Sequence, residues 1–406
     1  MQAMNWKKAL LRDNPFISTP PMPGEEIIWA DMSEQKGKLE NRLRSALLTS
    51  PSSLVLNYGT WGGGKTHAAR YFSQEAVLKA LSDEVGVVPP LSIIVNIPRG
   101  AKSVIRALYL NILDAIGLWQ VSQSLSRVIN ALGANQFSQV AYGFVRSEEF
   151  VSALLMLAGQ IQESDQLKMP FVTEELISPT LKRYFLASAT SSDLKELRLS
   201  RDIESGSDMI GILSAIFNLL LYSTTDVAPE YSEIFLWFDE MEEIASLPGK
   251  EQTTLNSLIR DLADFVPGNL TVFVNFTPRP GGKIEEVSSY LTQAVWSRFR
   301  ERIMFFGLDG ENVEKYILDL LNASKFRPEV LKAKCPDPLF PFNKDVVQFL
   351  QEELTDRTVP RYINEVCSLV IEQALAAGVL DEPGAGIDLD FVRAMSQQLK
   401  DLLKYK

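Results

Sequence analysis

The chain has 406 residues, a formal net charge of −11 and a sequence pI near 4.9, with 46% hydrophobic and 22% charged residues. That length exceeds what one hydrophobic core usually organises, so two domains, or one large domain with a substantial insertion, are expected, and the composition argues against long disordered regions. The acidic balance works against non-specific affinity for nucleic acid, which rests on lysines and arginines neutralising phosphates. The longest apolar stretch, 210–222, is interrupted by Ser214 and Asn218. It falls short of the roughly 20 residues a bilayer needs and reads as a buried helix, so no membrane role is expected. The N-terminus carries Trp6, Lys7, Lys8, Arg12 and Asp13 without a long apolar core, unlike a secretion signal, which leaves the cytoplasm as the expected location. Cys335 and Cys367, with His67 as the sole histidine, argue against a structural zinc site and a disulfide framework.

Residues 1–35 hold Pro15, Pro20, Pro21 and Pro23 and little helical pattern, which predicts an extended segment. Over 36–49, Leu39, Leu43 and Leu47 recur every four residues and predict an amphipathic helix ended by Pro51. Four short apolar runs, 53–57, 91–96, 234–238 and 270–274, are each bounded by turn or polar residues and separated by helical patterns. With a fifth strand at 303–306 they predict an α/β fold on a parallel five-stranded sheet. About 170 residues separate Thr66 from Asp239, far more than two βα units require. The surplus is a helical insertion at about 117–206, with Phe150, Leu154, Leu155, Ala158 and Ile161 in helical phase. Lys182, Arg183, Lys195, Arg198 and Arg201 fall there among Asp193, Glu196, Asp202 and Glu204, which reads as a solvated mixed-charge helix. From 307 the pattern is helical only: 311–322, 344–354, 360–377 and 391–403 predict a small all-helical domain ending at 406. The core domain would then span 36–306.

Gly59, Thr60, Trp61, Gly62, Gly63, Gly64, Lys65 and Thr66 fit G-x-x-x-x-G-K-[ST] between a predicted strand and a predicted helix. Glycines let the backbone wrap a phosphate chain at the positive end of the following helix. Lys65 would reach the β- and γ-phosphates of ATP, and the Thr66 hydroxyl would ligate Mg²⁺. His67, in the first helical turn, is grouped with the loop, although its plainer reading is packing beside it. The run 234–238 ends in Asp239 and Glu240: an aspartate there can hold Mg²⁺ through its water shell, and the glutamate can orient and deprotonate the attacking water. Asn275 follows strand 270–274 and is placed to hydrogen-bond the lytic water or the γ-phosphate, the alternative being a turn-former ahead of Pro278. Arg298, Arg300 and Arg302 alternate before the fifth strand. Arg298 is the choice for an arginine delivered to a neighbouring subunit's γ-phosphate, the alternative being a surface cluster paired with Glu301 and others. Arg361 opens a helix after Pro360, where it could fold over the nucleotide and link hydrolysis to domain rotation, or be an ordinary first-turn charge.

Taken in order, these five motifs resemble the Walker A, Walker B, sensor 1, arginine-finger and sensor 2 elements of AAA+ ATPases, over about 39–403 apart from the insertion. Ser297-Arg298-Phe299 and Pro360-Arg361 look most like the initiator and clamp-loader group, which includes AAA+ regulators of DNA transposition, and Asn14-Pro15-Phe16 is similar to a segment of those regulators. Trp61 stands where the AAA+ loop often has proline, and Trp61-Gly62-Gly63-Gly64-Lys65-Thr66 is also similar to other P-loop families, among them ATPases of anti-phage systems. Compact clamp loaders lack the insertion. The region from 307 onward holds 17 Asp and Glu against 12 Lys and Arg, and no winged-helix domain follows it, so direct origin recognition is disfavoured.

The resemblance implies an AAA+ ATPase that self-assembles when ATP is bound, as a homo-oligomer, and switches a partner protein such as a transposase or nuclease, with DNA as a further ligand. A competing expectation is a nucleotide-dependent scaffold whose ATP is structural or slowly turned over and whose insertion is the docking surface. A kinase on the same loop is disfavoured by Glu240 and Asn275.

Overall fold

In a computed structural model, residues 4–17, 24–49, 51–164, 177–225, 227–279, 284–355, 357–382 and 384–404 are described. Pro20, Pro21, Pro23 and the side chain of Ile161 lie outside the described residues. The chain forms two compact units: residues 1–39, 59–74 and 304–406 make the first, and residues 40–58 and 75–303 the second.

The second unit is organised by a five-stranded sheet. Its strands are β1 (Ser53–Gly59, whose last residue is counted with the first unit), β2 (Leu91–Asn96), β3 (Ile234–Asp239), β4 (Leu270–Phe276) and β5 (Phe299–Phe305, whose last two residues are counted with the first unit), in the order β2-β3-β4-β1-β5. The pairings β1 with β4, β3 with β4 and β2 with β3 are parallel. All residues of β3 and β4 are buried, which explains why they read as continuous apolar runs and not as alternating ones. Trp237 stacks on Phe273 across that pair at 3.8 Å. Asn57 faces Asn275 in register, and Asn96 faces Asp239, so the polar residues of four strands reach the same carboxyl edge.

The insertion is helical, as expected: Leu118–Leu132, Ala134–Val145, Glu148–Ser164, Pro179–Phe185 and Ser191–Leu197. It is fused to the sheet's core. One hydrophobic cluster runs from Leu56, Ile93 and Phe238 through Leu108 and Phe217 to Val121, Leu154 and Phe185. The stretch 210–222 is the buried helix Gly206–Leu220. The mixed-charge helix is a correction: 182–204 holds two short helices and a loop. Thr190 and Asp193 form a capping box that starts a new helix, and Arg198 in the left-handed region ends it. Arg183 gives its guanidinium to Asp193, so these charges pair locally.

At the end of the sheet away from that carboxyl edge lies a buried polar chain. Arg42 donates to Ser53, Ser53 and Thr271 share a 3.3 Å hydroxyl contact, and Thr271 donates to Glu233 Oε1 at 2.8 Å. Glu233 is 2% exposed, and its Oε2 has no hydrogen-bond partner among the described residues. Burial pushes its carboxyl up to about 8, against the opposing pull of the Thr271 hydrogen bond and the Arg42 charge. The folded form therefore holds a proton that the unfolded form releases at ordinary carboxylate pH. Stability from this group is complete at low pH and is lost as pH rises towards 8, at about 1.4 kcal/mol per pH unit. Chemical denaturation at pH 6 and at pH 8.5 should show that decline in the wild type and a flatter profile in Glu233→Gln.

The first unit holds the 3₁₀ turn Trp6–Ala9 and the helices Lys65–Phe72, Gly310–Asn322, Lys344–Leu354 and Pro360–Ala376. The segment 1–35 is not wholly extended. Its short turn buries Ala9, while Phe16 packs on Phe342 and Arg12 N donates to Phe326 O at 2.8 Å. Arg327, 0% exposed, holds the backbone carbonyls of Leu10, Pro338 and Phe340. The first long helix begins at Ser33, three residues before expectation, where the Gln35 amide donates to Met304 O at 3.1 Å. The run 391–403 is two helices, Leu389–Ala394 and Ser396–Lys404, broken at Met395. Among the described residues no single helix is long and apolar enough to cross a membrane.

Candidate functional site

In the first unit, Gly59 ends β1 with φ +151° in a place no side chain could occupy: a Cβ there would lie 1.8 Å from Phe305 O. Thr60 N donates to that same carbonyl at 3.2 Å, and Gly63 N to Thr60 O at 3.1 Å, so the loop 59–64 curls tightly before the helix Lys65–Phe72. Gly62 has φ +78°, and a Cβ on it would meet Arg361 Cβ at 2.8 Å. Lys65 is 7% exposed, and its ammonium donates to Gly59 O at 2.9 Å and Thr60 O at 3.0 Å. A buried ammonium at the N-terminus of a helix, beneath a turn of glycine amides, is an anion-binding arrangement. The Thr66 hydroxyl makes no hydrogen bond among the described residues.

Of the other expected residues in this unit, one meets the loop and one does not. Arg361, second residue of the helix Pro360–Ala376, places Cζ 3.7 Å from the centroid of the Trp61 ring, and its backbone N–H donates to Gly62 O at 3.4 Å. His67 has turned elsewhere: Nε2 is 2.8 Å from Ile28 O and the ring lies 6.0 Å from Trp29. It ties the segment before the first long helix to the Lys65 helix, which is the packing role.

In the second unit, β3 ends at Asp239, 3% exposed, whose Oδ1 accepts from Asn275 Nδ2 at 3.0 Å. Asn275 Oδ1 in turn accepts from Asn57 Nδ2 at 2.9 Å. Three adjacent strands thus carry one buried chain, Asn57, Asn275 and Asp239. Asn57, 0% exposed, is the member sequence reasoning missed, and its signal was an amide inside an otherwise apolar strand. Glu240 sits in the left-handed region at φ 53°, a conformation costly for a residue with a side chain, before the turn Met241–Ser246. Its carboxylate has no hydrogen bond or ion pair among the described residues. By contrast Glu242 accepts from Thr277 N and Glu243 pairs with Arg99.

Arg298 stands apart from this chain. Its Nη2 contacts both Asp264 oxygens at 3.1 Å and Nη1 donates to Ala294 O at 2.8 Å, so its observed partner is Asp264 and not Glu301. The fifth strand begins four residues earlier than expected, at Phe299. Arg300 and Arg302 therefore lie on its exposed face, with Arg302 over Trp296 at 4.2 Å. Alternation of arginines with Phe299, Glu301 and Ile303 is the period-2 signal of that strand.

No protein-family model and no curated protein matches the chain. The sheet order and the glycine loop ending β1 define the α/β fold of AAA+ P-loop NTPases. Two solved structures of one protein agree on the fold. The Aeropyrum pernix ORC2 protein, in its ADPNP-ADP complexes, is similar with TM-score 0.51 at 14% identity, over 96% of this chain and 72% of that one. In its ADP form the TM-score is 0.50 at 12% identity, over 96% and 73%. The A. pernix ORC1 protein in complex with DNA gives 0.46 at 14% identity, over 96% and 70%.

Proposed function

We propose that this chain is an AAA+ ATPase that binds ATP, hydrolyses it with Mg²⁺, and assembles with copies of itself while ATP is bound. The observation that carries the reading is the loop 59–66, whose positive-φ glycines surround a buried Lys65 ammonium. Thr66 and Asp239 offer hard oxygen donors suited to Mg²⁺, which when bound draws charge from the phosphates. Glu240 orients and deprotonates the attacking water, its carboxylate being committed to no other group among the described residues. Asn275 aligns Asp239 through the hydrogen bond between them. Arg361 reads the terminal phosphate and belongs to the proposed lid, residues 307–406, the proposed core being 36–306.

Arg298 is proposed to act on a neighbouring subunit's nucleotide. Its bond to Asp264 is a half-exposed ion pair, with side chains 37% and 44% exposed, so exchanging that carboxylate for a phosphate costs about 1 kcal/mol or less. Phosphate release from ATP with Mg²⁺ tests the reading. Arg298→Ala should lower turnover by about 10³- to 10⁵-fold, and full turnover in a demonstrated oligomer of that variant would remove Arg298 from the site. The output is a switch for a partner protein, a transposase or a nuclease in a DNA transaction. The insertion supports a docking role, because the helix Ala134–Val145 carries no charged residue and exposes Tyr142 and Phe144.

A further inference from the structure

Trp61 is nearly half exposed, so burial does not explain an indole at this position of the loop. Its partners are all in the first turn of one helix. The Arg361 guanidinium lies 3.7 Å from the ring centroid, and the Tyr362 ring approaches edge-on at 6.3 Å. The neighbouring Gly62 leaves no room for a Cβ against Arg361 and accepts its backbone N–H. Loop and helix are thus in contact through a ring, a backbone hydrogen bond and a bare α-carbon, all within the first unit.

The chemistry of the contact is directional. A guanidinium stacked on an indole uses its face and leaves its in-plane N–H donors available. Glu365 accepts one of these, from Nε at 3.3 Å, and neither terminal nitrogen of Arg361 donates a hydrogen bond among the described residues. Trp61 and Glu365 together fix the plane and one edge of the fork while two of its corners stay open to an anion. Arginine reads phosphate through such a fork, so the orientation sets how strongly it responds to an added phosphate.

We propose that Trp61 is a positioning residue that sets discrimination between nucleoside triphosphate and diphosphate, by holding Arg361 over the phosphate loop with its terminal N–H groups free for the γ-phosphate. This rests on the reading of Arg361 as the group that senses that phosphate. Without the ring, Arg361 keeps its charge but loses its fixed plane, so the response to the terminal phosphate falls while the loop's hold on the inner phosphates stays.

The test is the ratio of affinities for a non-hydrolysable ATP analogue and for ADP, by calorimetry on the full chain. Trp61→Leu should lower that ratio by about three- to thirtyfold, the span of a cation–π contact, and Trp61→Phe should restore most of it. The double variant Trp61→Leu with Arg361→Ala should do no more than Arg361→Ala alone. If Trp61→Leu keeps the wild-type ratio while Arg361→Ala lowers it, or if the two losses simply add, the role given to Trp61 is wrong. An Arg361→Ala protein with the wild-type ratio would overturn the sensing role of Arg361 itself, and this proposal with it.

Discussion

Lys65→Ala is expected to weaken nucleotide binding by about 10²- to 10⁴-fold, the loss of two charge-assisted hydrogen bonds to phosphate oxygens. An ammonium that is 7% exposed is costly to keep from water, and the carbonyls of Gly59 and Thr60 offset that cost only in part, since neither carries a full charge. A phosphate chain supplies the charge. Lys65 opens the helix Lys65–Phe72, where alanine is a strong helix former, so the variant should fold and its thermal transition should remain cooperative. Calorimetry with ADP and with a non-hydrolysable ATP analogue reads the loss directly. Unchanged affinity would mean that the loop is a glycine turn of another purpose.

Glu240→Gln should leave binding intact and slow hydrolysis by about 10²- to 10⁴-fold, the usual worth of a positioned base. Three acidic residues lie within four positions here, and geometry separates them. Glu242 and Glu243 brace Thr277 and Arg99, whereas Glu240 has no such tie among the described residues. It is also the one held at φ 53°, where a β-carbon is strained by about 1–3 kcal/mol and where packing must enforce the conformation. Glutamine keeps the shape and hydrogen bonding of the side chain but cannot take a proton from water. Single-turnover phosphate release set against equilibrium binding separates the two effects. A variant that hydrolyses at the wild-type rate would exclude Glu240 as the base and favour a scaffold that uses ATP as a structural ligand.

Much of this was legible in the sequence because the strands are buried on both faces and the loop is a contiguous pattern. Leu91–Asn96 matches its expected bounds, and the remaining strands match to within a few residues. β5 was read short because its exposed arginines break the apolar run, although their alternation is itself a strand signal. The insertion was recognised by length, but its fusion with the sheet's core was not readable, since helical periodicity says that a face is buried and not against what. Asn57 and Arg327 were missed for a related reason. A lone polar residue in an apolar context shows its purpose only when its partners, 218 residues away for Asn57, are known. Arg361 was found as a helix start after Pro360, yet its stacking on Trp61 depends on folding that brings residues 300 positions apart together.

In the proposed mechanism nucleotide state controls assembly through these residues. Its most direct test is the solution mass of Glu240→Gln by light scattering, with ATP and Mg²⁺ and then with ADP. A trapped triphosphate state should give a multiple of the 45.4 kDa chain mass with ATP and a smaller species with ADP, and the same mass in both would contradict the account.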